Sequence, residues 1–93
     1  MAKFRKKPVV IEAFQWTGDF NQTEEPDWIV EAISLGRVWF IGAGTPKVTM
    51  VIRNPRPVGI WVAKPGEWIV LNTLGEIRPY SPRAFEAEYE PVE

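Results

Sequence analysis

Three groups of side chains in this 93-residue chain could do chemistry: scattered carboxylates, a basic run near the start and five tryptophans. Histidine and cysteine are both absent. That removes the commonest general base near neutral pH, the commonest transition-metal ligand, thiol nucleophiles and disulfide staples. Among the carboxylates, Glu12, Asp19, Glu67, Glu76, Glu86 and Glu88 have the chemistry to pair for acid–base work or to hold a divalent cation. Their spacing matches no calcium loop, and charges alternating along strands ordinarily form a wetted face. No catalytic residue, metal site or cofactor is assigned to them. Gly42-Ala43-Gly44 lacks the Gly-Lys-Ser ending of a phosphate loop and the strand-to-helix setting of a dinucleotide fingerprint, so it reads as a turn.

Lys3, Arg5, Lys6 and Lys7 beside Phe4 form a local basic arm that suits a phosphate, or that blunts a strand edge against pairing. An indole brings a large contact area and one donor that must be satisfied when buried. Trp28 falls in a helical stripe and Trp68 precedes Ile69-Val70-Leu71, so both read as core. Trp16, at a strand end beside Gln15 and Thr17, and Trp61, after a proline-rich connection, are the candidates for a stacking platform, with core packing as the competing reading.

The elements that would position these groups are mostly strands. Val9-Val10-Ile11 is apolar on both faces and opens a first strand over 9–16. Segment 26–36 reads as the single convincing helix. Pro26 stands near its first turn, Gly36 lies just past its end, Glu24, Glu25 and Asp27 crowd the positive end of its dipole, and Trp28, Ile29, Ala32 and Ile33 form the buried stripe. Strands are expected over 37–41, 47–53, 58–63, 67–71, 76–80 and 85–90. Residues 42–46 have the composition of a hairpin loop, Pro65-Gly66 that of a type II turn, and 72–75 that of a tight connection. Asn54-Pro55-Arg56-Pro57 reads as an exposed connection, because each proline lacks a donor. Ser81-Pro82 suggests an N-cap and first helical position for one turn before the last strand.

Together these elements predict an α+β, mostly β domain over 1–93: an antiparallel meander or small barrel of about six to seven strands with one helix packed across it. Hydrophobic residues at 45% and charged residues at 25% fit a folded globular domain. The apolar runs are far shorter than a bilayer span requires, and no secretory cleavage pattern follows the basic start, so the expected location is the cytoplasm. A net charge of −1 gives no global field toward nucleic acid or an anionic membrane.

Two stretches carry a resemblance. The opening Phe4-Arg5-Lys6-Lys7-Pro8-Val9-Val10-Ile11-Glu12-Ala13-Phe14-Gln15-Trp16-Thr17-Gly18 is one. The other is the closing Lys64-Pro65-Gly66-Glu67-Trp68-Ile69-Val70 with Gly75-Glu76-Ile77, Pro79, Phe85 and Tyr89-Glu90-Pro91-Val92. They resemble a family of small phage and prophage proteins that begin with an Arg-Lys-Lys-Pro-Val strand, contain a Pro-Gly-Asp-Trp turn and end with Phe, Glu and Tyr. The chain departs from that pattern between Asp19 and Arg56, at Glu67, where aspartate is common, and at Ser81, in a region where cysteine is often found. The resemblance implies a phage or prophage origin, hence the host bacterial cytoplasm, and implies no activity. It also implies that the two ends of the chain meet, with the Arg5-Lys6-Lys7 arm near Glu67, Glu76 or Tyr80.

The expected function is therefore non-enzymatic. A phage accessory protein of this kind would act by binding a small molecule, such as a nucleotide signal in a counter-defence role, or a protein partner. Arg5, Lys7, Gln15, Trp16, Trp61 and Tyr80 are the candidate ligand-binding residues. The alternative is a structural or assembly role through a homo-oligomer, in which exposed strand edges or tryptophans meet.

Overall fold

The structure is a computed structural model that describes residues 2–3, 9–19, 22, 24–55 and 58–92. Its elements run β1 (Glu12–Gln15), α1 (Asp27–Ser34), β2 (Val38–Ile41), β3 (Thr49–Pro55), β4 (Val58–Ala63), β5 (Trp68–Leu71), β6 (Ile77–Tyr80) and α2 (Pro82–Glu88). The class is α+β and mostly β, as the sequence predicts. Instead of one sheet or a closed barrel, the described strands form two open antiparallel sheets, ordered β1-β5-β6 and β2-β3-β4. The connections are not a simple meander either, since β5 turns away from β4 and pairs with β1, Phe14 opposite Ile69.

The Lys64–Glu67 turn makes that switch. Glu67 N–H donates to the Lys64 carbonyl at 3.1 Å and Gly66 has φ +93°, the geometry the Pro-Gly pair predicts for a type II turn. The turn is then fastened to the end of β1: Gly66 N–H donates to the Trp16 carbonyl at 2.6 Å and Trp16 N–H to the Glu67 carbonyl at 2.9 Å.

Helix α1 ends as its glycine predicts. Arg37 N–H reaches the Ala32 carbonyl and Gly36 N–H the Ile33 carbonyl, with Gly36 at φ +76°, so the last carbonyls are satisfied in a Schellman arrangement. Ile29 and Ala32 are buried and Trp28 packs partly against the core, but Ile33 is exposed, which narrows the expected stripe. Phe14, Ile69 and Ile77 from the first sheet join Val38, Met50 and Ile52 from the second and the two buried α1 residues in one core cluster.

Two departures have local causes. The strand expected over 85–90 is helix α2. Ser81 Oγ accepts from Ala84 N–H and Pro82 occupies the first turn, so a helix is started, and Phe85 and Tyr89 suit helical i, i+4 spacing as well as strand alternation. The second departure concerns Asn54 and Pro55, which extend β3 rather than leaving it, with Asn54 opposite Gly59 and Pro55 opposite Val58. Arg56 and Pro57, the rest of the expected exposed connection, lie outside the described residues.

Asn54 is fully buried because it bridges the two sheets. Its Nδ2 donates to the Ile77 carbonyl at 2.8 Å and its Oδ1 accepts from Ile77 N–H at 3.0 Å, so the amide imitates a peptide group where β3 meets β6. Arg37 Nη2 adds a second bond to Oδ1 at 3.2 Å and one to the Gly75 carbonyl at 3.2 Å. A buried polar side chain is tolerated here because each of its amide atoms is used.

Candidate functional site

An apolar groove of about 830 Å³ opens between α1, the turn after β1 and the β2–β3 loop. Phe14, Trp16, Ile29 and Met50 reach its floor from the core. Phe40 stands beside Trp16 with ring centroids 5.8 Å apart and planes tilted 40°. The volume and the apolar lining are those of a small-molecule pocket.

Gln22 builds the rim. Its Oε1 accepts from Thr17 N–H at 2.7 Å and from Thr17 Oγ1 at 3.2 Å, while its Nε2 donates to the Gln15 carbonyl at 3.1 Å and the Glu24 carbonyl at 2.9 Å. One side chain thus ties the end of β1 to the approach to α1. Gly18 is required in the same turn: it has φ +76°, and a Cβ there would sit 2.7 Å from Pro65 Cγ. On the opposite wall Thr45 N–H and Oγ1 both donate to the Gly42 carbonyl, holding the β2–β3 loop in place. Asp19 and Glu25 add carboxylates to the lining, and among the described lining residues there is no lysine or arginine.

A second groove, about 1260 Å³, runs between the two ends of the chain, with Val9 and Ile11 on one side and Tyr89 and Val92 on the other. Its walls include terminal segments without regular structure, whereas the first groove is walled by hydrogen-bonded turns and a helix. The first is therefore the better preorganised site.

The residues singled out in the sequence do not converge on one place. Arg5 and Lys7 lie outside the described residues. Trp16 is only 6% exposed and belongs to the core cluster, the core alternative of its two readings, while it also lines the first groove. The Gln15 side chain is committed to the turn, donating to the Gly66 carbonyl at 3.0 Å.

Trp61 on β4 is half-buried, and its ring is already covered: the Arg78 guanidinium lies 4.8 Å from the ring centroid. The indole also folds back over Gly59, where a Cβ would meet Trp61 Cη2 at 2.6 Å, so glycine is needed for the ring to lie down. Tyr80 sits in a separate aromatic group with Tyr89, edge to face at 5.8 Å.

Two of the candidate carboxylates, Glu67 and Glu76, serve the fold. Glu67 Oε1 accepts from Lys64 N–H at 2.8 Å, closing the β4–β5 turn. Glu76 Oε2 takes two bonds from Arg78, at 3.1 Å from Nε and 2.6 Å from Nη2, and these hold its carboxyl below the ordinary value despite burial. Among the described residues no three acidic side chains gather as a metal site.

Gln22 and Phe40 contribute to the groove without a signal of that role in the sequence. A glutamine in a polar loop gives no signal of its four bonds. Phe40 lies in the unbroken apolar run Val38–Ile41, which does not say which side faces the groove. Compared with protein-family models, with curated proteins and with solved structures, the chain finds no match in any of the three.

Proposed function

We propose that the protein acts by binding, and that the groove between α1 and the β2–β3 loop holds a small, flat, apolar ligand against Trp16 and Phe40. The observation that carries this reading is an apolar floor continuous with the core, beneath a rim fixed by Gln22 and Gly18. Such a site holds an aromatic ring at little cost in ordering. Among the described lining residues, Gln22 and Thr45 spend their side chains on backbone contacts that shape the groove, which supports a holding role over a bond-breaking one.

The absence of lysine and arginine from the described lining favours a neutral or cationic ring system over a polyphosphate. A nucleotide would have to draw its cations from the arm that contains Arg5 and Lys7. The resemblance to phage and prophage proteins supports, as the setting, an infected bacterium in which a sequestered signal would be withheld from the host.

Thermal unfolding against a panel that pairs nucleosides with their nucleotides and includes simple aromatic amines tests the reading, because a ligand of the folded state raises the midpoint by mass action. The expected result is a rise with an uncharged or cationic aromatic, abolished by Phe40→Asp. No rise at saturating concentration across the panel counts against it.

A further inference from the structure

We propose that the outer face of the β2-β3-β4 sheet is the interface of a two-fold homodimer. Cross-strand pairing places Trp39, Val51 and Val62 in one row of that face, with Ile41, Ile60 and Val58 around them. Val58 is 86% exposed, Ile60 63%, Ile41 59%, Val62 58% and Trp39 39%. Val51, flanked by Trp39 and Val62, is buried yet belongs to no part of the core cluster, which confirms that the row looks away from the core.

The sequence of these strands is that of strands covered twice. β2 is Val-Trp-Phe-Ile and β4 is Val-Gly-Ile-Trp-Val-Ala, with no charged or polar side chain in either. The same signature in β5, Trp-Ile-Val-Leu, is met by two covers: Ile69 faces the core cluster, and Val70 is buried outside it on the side where Phe85 of α2 stacks on Trp68. The second sheet has one cover and an identical need.

Area and charge both select a second copy. The exposed fractions correspond to on the order of 500 Å² of contiguous apolar surface, at the upper end of what a monomer displays. Two such faces together would remove about 1,000 Å², the size at which a specific interface begins. Among the described strand residues, the charged side chain of the face is Arg53, one row beyond Val51 and opposite Ile60. A two-fold axis running across the strands along the Trp39–Val51–Val62 row carries the two arginines to opposite ends, so like charges are kept apart while apolar rows meet.

Sedimentation or light scattering across a concentration series is the test. The wild-type chain is expected at twice 10.7 kDa at high concentration. The pair Ile60→Lys and Val62→Lys is expected to weaken association by roughly tenfold or more with an unchanged circular dichroism spectrum. Leu74→Lys, on the exposed 72–75 turn, keeps the dimer.

The chain has no cysteine, so Ile60→Cys gives a unique thiol whose reactivity should fall as concentration rises, while that of Leu74→Cys should not. That measurement stands even where the lysine pair does not fold. A one-chain mass at millimolar concentration, a lysine pair that still dimerises, or an Ile60→Cys thiol indifferent to concentration overturns the proposal.

Discussion

Trp68 on β5 and Phe85 on α2 lie face to face, their ring centroids 4.3 Å apart and their planes within 3° of parallel. Helix α2 has only seven residues and no buried one, so its own hydrogen bonds cannot sustain it. This stack, with Tyr89 5.2 Å from Phe85, is what docks the helix on the first sheet.

Replacing Phe85 with alanine is accordingly expected to release α2 while leaving both sheets paired. The expected loss is about 2 kcal/mol, below what truncating a fully buried aromatic costs, because the ring is only partly buried. Amide exchange should show the protection lost over 82–88 and retained in β3 and β5. Uniform loss across the chain would mean that the stack supports more than the helix.

Asn54→Ala makes a different kind of damage. It orphans the N–H and carbonyl of Ile77 at the junction of the sheets, and unsatisfied buried groups cost their full desolvation. A loss of about 3 kcal/mol is expected from denaturant unfolding. Asn54→Asp should do comparable harm, because a carboxylate keeps the acceptor and loses the donor to the Ile77 carbonyl. A neutral result for either would show that the amide bridge contributes little.

The Glu76 carboxyl is held below its ordinary value of 4.5 chiefly by the hydrogen bond from Arg78, against the opposing effect of burial. A folded pKa below the unfolded one means that the charged form stabilises the fold above the ordinary value. That contribution disappears as pH falls through the folded pKa. Glu76→Gln should therefore be less stable than the wild type at neutral pH, with the difference shrinking on acidification below about 4.5. Urea midpoints measured from neutral to strongly acid pH check this, and a difference that does not vary with pH would contradict it.

Tyr89 behaves in the opposite sense. Burial first, then its hydrogen bond with Tyr80 and the charges of Tyr80 and Glu88, push its phenol from 10.0 up to about 12. The neutral phenol thus favours the fold below pH 10, and that contribution is lost as pH rises from 10 toward 12. An ultraviolet phenolate titration of the folded chain, which has two tyrosines, should show a late step that Tyr89→Phe removes. Absence of a late step that Tyr89→Phe removes would contradict the burial of Tyr89.

Local chemistry made some elements readable from the letters alone. β4 occupies its expected residues, and Gly36, Pro65-Gly66 and Ser81-Pro82 each make the cap or turn their backbone preferences dictate. What periodicity does not encode is partnership. Phe85 and Tyr89 fit strand and helix alike until Ser81 and Pro82 decide. Asn54 looks like loop composition until Ile77 is placed beside it.

The tryptophans show the same limit. From their neighbours in sequence Trp16 and Trp61 read as either stacking platforms or core, and in the structure both pack against the core, with Arg78 over the Trp61 ring. Trp39, inside an unbroken apolar run, is the one that faces outward from the second sheet. Exposure in an all-apolar strand depends on what packs over each face, which lies elsewhere in the chain or in another molecule.

The indole N–H resonances of the five tryptophans give the most direct test of the groove as the binding site. On titration with whichever aromatic compound raises the unfolding midpoint, the Trp16 signal should move progressively, and further than those of Trp61 and Trp68, which do not line the groove. Movement confined to Trp61 or Trp68, with Trp16 unchanged at saturation, would contradict the assignment.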